Sequence, residues 1–257
     1  MLLLLGCSVS AEVPDSPPRP VEPVSVQPAE PPVREPTDYA ADRSLTSSAR
    51  VALSAKRRPT VEALFAEAGV KYPPKAALFR IFKQDNQLEV WAGDGPLTKI
   101  ATYGICYASG DLGPKRREGD SQVPEGFYTL DLYNPLSSYH LSMRISYPNA
   151  SDRVLSDPKR PGGAIMIHGD CVSIGCVAMS DERIEELWQI ATAVRDQKQT
   201  VQVHVLPARD LEGLIASKAY PQHEGFWRNL LEGDRIFQAE HRAPKVSVAK
   251  DGTYRFD

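Results

Sequence analysis

Proline constrains this chain more than any other residue. Nine of its 22 prolines fall between residues 8 and 37, all of them in the run PDSPPRPVEPVSVQPAEPPVREP. Each proline locks φ and removes a backbone donor, so neither a helix interior nor a central strand survives at that density. The stretch reads as an extended, polyproline-like spacer. Residues 38–58 are polar and basic, and they extend the expected flexible linker to 8–58. The ordered part is therefore expected to begin near Pro59.

From there the patterning changes. RPTVEALFAEAGV predicts a short helix, with Thr60 as cap, Val61, Leu64, Phe65 and Ala68 on one face and Gly69 as stop. ALFRIFK (77–83) and QLEVWAG (87–93) alternate like the arms of a β-hairpin, and TKIATYGICYA (98–108) reads as a third strand. Residues 109–126 are dense in Gly, Pro and charge and predict a loop. Strands are expected at 127–133, 140–147, 164–169 and 201–207, and helices at 181–196 and 222–240. In the first of these helices Ile184, Leu187, Trp188 and Ala191 mark a core-facing stripe. Many short strands with two or three helices indicate an α+β domain, a β-sandwich or barrel with added helices. The expected division is a domain at 59–208 followed by a helical extension at 209–257 that packs on it.

The chain has 257 residues and a formal net charge of −3, so nothing in its charge asks for nucleic acid as a partner. Its N-terminus, MLLLLGCSVS, runs from leucines into Leu4-Leu5-Gly6-Cys7. That junction resembles a bacterial lipobox, with residues 1–7 as a truncated lipoprotein-type signal whose apolar stretch is short and whose basic flank is missing. Lipidation at Cys7 would anchor the protein to a membrane in the periplasm or cell envelope. Ser8 after the cysteine favours the outer membrane of a Gram-negative cell. No other segment approaches the roughly 20 apolar residues of a membrane span.

The chemistry is concentrated in IMIHGDCVSIGCVAM (165–179), where His168, Asp170, Cys171, Ser173 and Cys176 lie within nine residues. With Cys7 set aside, Cys106, Cys171 and Cys176 remain, and an odd number leaves at least one thiol unpaired. Three readings compete. In the first, His168 takes the proton of a Cys176 nucleophile, Gly175 lets the backbone approach substrate, and amides near Gly175 and Cys176 form an oxyanion hole. In the second, His168, Cys171 and Cys176 are three zinc ligands, at a spacing that matches no common zinc knuckle. In the third, Cys171 and Cys176 form a disulfide and His168 is a core histidine.

HGDCVSIGC resembles the active-site motif of the L,D-transpeptidase (YkuD-type) family, a histidine followed by Ser-x-Gly-Cys, and is closer still to that family's YafK-like branch. FRIFKQDNQLEVW (79–91), SGDLGPKRREGDSQVPEGFY (109–128) and NPLSSYHLSMRISYPNASDR (134–153) support it in the same order, so the resemblance covers roughly residues 60–207. It implies a β-rich catalytic domain and a cysteine acyl-enzyme on peptidoglycan stem peptides, with no metal or other cofactor. Cys176 then becomes the nucleophile and His168 the base. The Gly169 carbonyl orients the imidazole, and Ser173, Gly175 and the Cys176 amide belong to the catalytic loop. The thiolate attacks the carbonyl after the L-centre of diaminopimelate. The acyl group passes to an amine, forming a crosslink or attaching a wall-linked lipoprotein, or it passes to water, as in hydrolases of the same branch. A non-catalytic wall-binding lipoprotein is the alternative of another class. Two departures stand out: the gap between histidine and Ser-x-Gly-Cys is short, and Ile174 occupies a position where members often carry a second histidine.

Further candidates are weaker. His140, Tyr147, Arg80 and Ser138 are substrate-binding candidates. His140 reads equally as a surface histidine, and an X-Pro turn equally explains Tyr147 to Asp152. Lys115, Arg116 and Arg117 read as a solvated charge run in preference to carboxylate binders. Cys106 and Cys171 read as small buried hydrophobes.

Overall fold

The computed structural model describes residues 45–257. The expected signal, Cys7 and most of the expected linker lie outside the described residues. The linker's expected end does fall inside them, and there the reading is corrected. Ser47–Ala55 is a helix (α1) and Arg58–Glu67 a second (α2). Helix α1 has little apolar surface, and polar anchors fix it instead: Arg50 and Ser54 are its buried residues. Pro59 sits in the first turn of α2, where a missing N–H costs nothing. Thr60 is therefore inside the helix, not its cap.

The strands are β1 (Ala76–Phe82), β2 (Gln87–Gly93), β3 (Thr98–Gly104), β4 (Tyr107–Ala108), β5 (Gly126–Ser137), β6 (His140–Ile145), β7 (Met166–His168), β8 (Val177–Ala178) and β9 (Gln202–Leu206). The seven expected strands appear in order, the third split into β3 and β4, and β8 is an addition that was not expected. One nine-stranded sheet runs β3-β2-β1-β9-β5-β6-β7-β8-β4. Only β1/β9 and β7/β8 are parallel pairs. Its two edges, β3 and β4, are joined by Ile105 and Cys106 alone. A flat sheet of that width would hold its edges about 38 Å apart, whereas three residue steps span at most about 11 Å. The sheet must therefore curl until its edges nearly meet. The linking residues bond to both sides: the Ile105 N–H donates to Asn86 and the Cys106 N–H to Ala178. Strand β5 makes the bend, pairing with β9 through residues 126–129 and with β6 beyond, with register shifts at 130–132 and 134–137.

Helix α4 (Asp181–Asp196) fills the curl, after a short helix α3 (Ala150–Leu155). Ile184, Leu187, Trp188, Ile190 and Ala191 join Ala77, Phe79, Ile81, Val203 and Val205 in the main core. The alternate residues of the same strands face outward but are not bare. Helices α5 (Leu211–Ala216) and α6 (Glu224–Glu240) cover them, with Phe82, Phe127 and Leu206 packed on Leu211, Ile215, Trp227 and Leu230. The polar tail forms an unanticipated hairpin, β10 (Val246–Val248) with β11 (Tyr254–Phe256), pinned by Tyr254 in this second core. Among the described residues no helix is long and apolar enough to cross a membrane.

Candidate active site

Parallel pairing of β7 with β8 brings the two chemical residues together. Ile167 stands opposite Val177 and His168 opposite Ala178. Cys176 immediately precedes β8, so it falls beside Met166. Side chains two residues apart share a face, which makes Cys176 and His168 diagonal neighbours. The Met166 N–H donates to Cys176 Sγ at 3.4 Å, and the thiol points at the Ala164 carbonyl at 3.8 Å. Cys176 is the free cysteine of the described residues and is half-buried.

His168 is buried, and its Nδ1 donates to the Gly169 carbonyl at 2.6 Å. A carbonyl only accepts, so this bond fixes the proton on Nδ1 and leaves the Nε2 lone pair available. The Tyr139 ring lies against the imidazole, 4.9 Å between centroids and tilted by 37°. Burial lowers the imidazole below its ordinary value, and the Gly169 bond offsets only part of this. Burial likewise pushes the Cys176 thiol up, against a smaller opposing pull from the Met166 amide and the Lys115 charge. At neutral pH the resting pair is thus a neutral thiol beside a neutral imidazole.

The loop between them is tightly specified. Asp170 and Cys171 hold positive φ of 69° and 24°, and Gly175 holds 120°, which only glycine adopts without strain. Gly169 is needed for a different reason: a Cβ there would lie 2.7 Å from Asp181 Oδ1 and 3.0 Å from His140 Cβ. Ser173 Oγ accepts from the Cys176 N–H at 2.7 Å and donates to the Cys176 carbonyl at 2.8 Å. The oxyanion hole expected from the Cys176 amide is therefore occupied by Ser173 in this structure. Cys171 is bonded to Cys106, with Cα atoms 5.3 Å apart. This corrects both the buried-thiol reading of the two residues and the Cys171–Cys176 disulfide, and it removes Cys171 from the zinc set.

Three of the four substrate candidates lie elsewhere. His140 is buried behind the loop, where its Nε2 donates to Glu185 Oε1 at 3.0 Å. Hydrogen bonds from His140 and Arg57 hold that carboxylate below its ordinary range despite burial. The α1 side chain of Arg50 donates to the His140 and Ser137 carbonyls, so the supposed linker braces the turn that carries Tyr139. Tyr147 is buried and its hydroxyl donates to Pro161 O at 2.8 Å, holding the 157–165 segment that runs to Ala164. Arg80 lies under α6, bonded to Asp234 and stacked 4.3 Å over Phe237. Ser138 alone is exposed, next to Tyr139.

The solvated reading of Lys115 is also overturned. This lysine is buried, and its Nζ donates to Asp120 Oδ1 at 2.5 Å and to the Arg117 carbonyl at 2.9 Å. Sequence weighed Lys115 as a carboxylate binder and set it aside, and it did not mark Tyr139. The Asp five residues after Lys115 was the available signal for the first, and adjacency to His140 for the second.

A family model described as the L,D-transpeptidase catalytic domain (YkuD) matches residues 77–205. An Escherichia coli K12 protein provisionally named L,D-transpeptidase YafK is 37% identical over 179 residues, 68% of this chain and 71% of that protein. A variant of the helical cell shape determining protein Pgp2 from Campylobacter jejuni superposes with a TM-score of 0.44 at 25% identity. That match covers 58% of this chain and spans about half, 55%, of the Pgp2 chain.

Proposed function

The chain belongs to the L,D-transpeptidase (YkuD) catalytic domain family, and from that premise we propose that it is a peptidoglycan enzyme acting through a Cys176 acyl-enzyme. The observation that carries this reading is the free thiol at the start of β8 beside an imidazole whose Nδ1 is tied to the Gly169 carbonyl. Only that tautomer offers Nε2 as a base. The thiol hydrogen rotates from the Ala164 carbonyl to Nε2, and sulfur attacks the carbonyl that follows the L-centre of diaminopimelate in a stem peptide. The imidazolium then protonates the departing amine, leaving an acyl-enzyme. An amine acceptor yields a crosslink or an attached lipoprotein, and water yields hydrolysis. Ser173, bonded at both ends of Cys176, holds the loop in attacking geometry.

The reading extends to location: Cys7 carries a lipid that anchors the domain in the cell envelope. Metabolic labelling with a palmitate analogue tests this, and labelling that persists in Cys7→Ser overturns it.

Muropeptide mass spectrometry of a Cys176→Ala strain tests the enzymology. Lost diaminopimelate-to-diaminopimelate crosslinks support transfer to an amine. Accumulated protein-linked or uncleaved stems support transfer to water. A wall profile identical to wild type rejects both, in favour of a non-catalytic wall-binding protein.

A further inference from the structure

The buried ammonium of Lys115 pulls weakly on the Cys176 thiol and has no other part in the acyl-transfer chemistry above. It lies in the 109–125 loop, which folds over the catalytic loop until a Cβ on Gly175 would touch the Gln122 carbonyl. Asp120 holds it there. That carboxylate accepts from Lys115 Nζ and from the amides of Arg116, Arg117 and Gln122. Despite burial, these bonds keep Asp120 below its ordinary range. Three backbone amides share that carboxylate with the lysine. Of the three Nζ hydrogens, two are taken, by Asp120 and by the Arg117 carbonyl.

The end of this side chain faces the irregular segment that leads into β7. A Cβ on Gly162 would lie 2.9 Å from Lys115 Cε and 3.4 Å from Nζ. Two residues later the Ala164 carbonyl meets Cys176 Sγ. Two residue steps span at most about 7 Å, so the ammonium and the sulfur border the same short segment. A fixed, buried ammonium with a spare hydrogen beside that segment is suited to an anion, and a charge-assisted bond to a carboxylate is its strongest match.

We propose that Lys115 is a specificity residue that binds a free carboxylate of the donor substrate next to the bond Cys176 attacks. The inference rests on the peptidoglycan reading for the identity of that donor. In a stem peptide two carboxylates lie close to that bond, the terminal α-carboxylate of the leaving residue and the free carboxylate of diaminopimelate. Both present the same chemistry to Nζ.

Alkylation of Cys176 tests the charge recognition without any peptidoglycan. Iodoacetate carries a carboxylate and iodoacetamide does not. The ratio of their rate constants is expected to fall about 10- to 100-fold in Lys115→Met, the scale of one charge-assisted hydrogen bond, and to recover in Lys115→Arg. Removing the Lys115 charge also weakens its pull on the thiol, which slows both reagents alike; an unchanged ratio, with or without such slowing, overturns the proposal. Protection of the wild-type thiol by propionate but not propionamide gives the same answer in a protein whose folding is not in question. Equal protection, or none, counts against it.

Turnover separates the two carboxylates. Amidating the terminal residue, or amidating diaminopimelate, is expected to raise KM about 10-fold or more for wild type while leaving Lys115→Met indifferent to whichever carboxylate Nζ binds. Indifference of both proteins to both amidations overturns the proposal. Absence of turnover on every donor, alongside a preserved iodoacetate preference, would reject the peptidoglycan reading and leave the carboxylate site standing.

Discussion

His168 and Cys176 are each moved away from their charged forms by burial, and that sets how the site responds to acid. A base must be unprotonated to accept the thiol hydrogen. With the imidazole held below its ordinary 6.5, kcat/KM should stay flat on lowering the pH through 6.5 and fall only on a limb further into the acid range. The pH profile of iodoacetamide alkylation reads the Cys176 thiol in the absence of substrate, and with that thiol pushed up by burial the rate should rise only into the alkaline range. Alkylation already near its maximum at neutral pH, falling only on an acid limb well below 6.5, would instead indicate a preformed thiolate–imidazolium pair. Replacing His168 with Gln should cost about 10²- to 10⁴-fold in turnover with the fold intact by circular dichroism. These two residues were legible because nine consecutive positions contain both. Lys115 was not, since its burial depends on Asp120 folding back over it. Nor was the orientation of His140, which is set by Glu185, 45 residues away.

Secondary-structure elements carry the site by being tied to one another at few points. The Cys106–Cys171 bond closes a separation of 65 residues and fastens the catalytic loop to the link between the two sheet edges. Breaking it with Cys106→Ser should lower stability by about 2–4 kcal/mol, and activity should fall with it as loop 169–175 loses its tether. Denaturant unfolding and turnover measured together check this; lost stability with full activity would show that the loop keeps its geometry alone. Gly169→Ala is a sharper perturbation, because its Cβ meets Asp181, His140 and Ile184 at once. The expected cost is about 1–3 kcal/mol, visible as a lower Tm. The strands and α4 were legible from their periodicity, since one face of each is apolar. The pairing of Cys106 with Cys171 was not, because the curl that joins the sheet edges is non-local. Helix α1 was also missed: SSARVALSA has no apolar stripe of the usual width, and Arg50 reaching the His140 carbonyl is what holds it.

Both faces of the β1–β9 region are buried, and the outer face carries charge where a core would ordinarily be apolar. Arg80 is paired with Asp234 of α6, so the helical C-terminal segment completes the sheet it covers. Asp234→Ala would leave a buried guanidinium short of a partner, at a cost of about 3–5 kcal/mol. On the same face His204 is buried with Nδ1 unbonded, and burial, with a smaller push from Arg80, moves its value down to about 3. The unfolded chain takes up this proton below the ordinary 6.5, whereas the folded chain refuses it until about 3. Stability must therefore fall as pH drops from 6.5 toward 3. Asp152 has the opposite sign: burial raises it from 3.8 to about 6, so its contribution is greatest below 3.8 and is lost as pH rises through 6. The two partly cancel in wild type, and a single melting curve against pH would conceal both. His204→Leu isolates one of them. The difference in Tm between His204→Leu and wild type should grow in favour of the variant as pH is lowered from 7 to 5, with Asp152 common to both proteins. Parallel Tm curves across that range would mean that His204 is protonated in the folded state after all, and that the outer face tolerates a second buried cation beside Arg80.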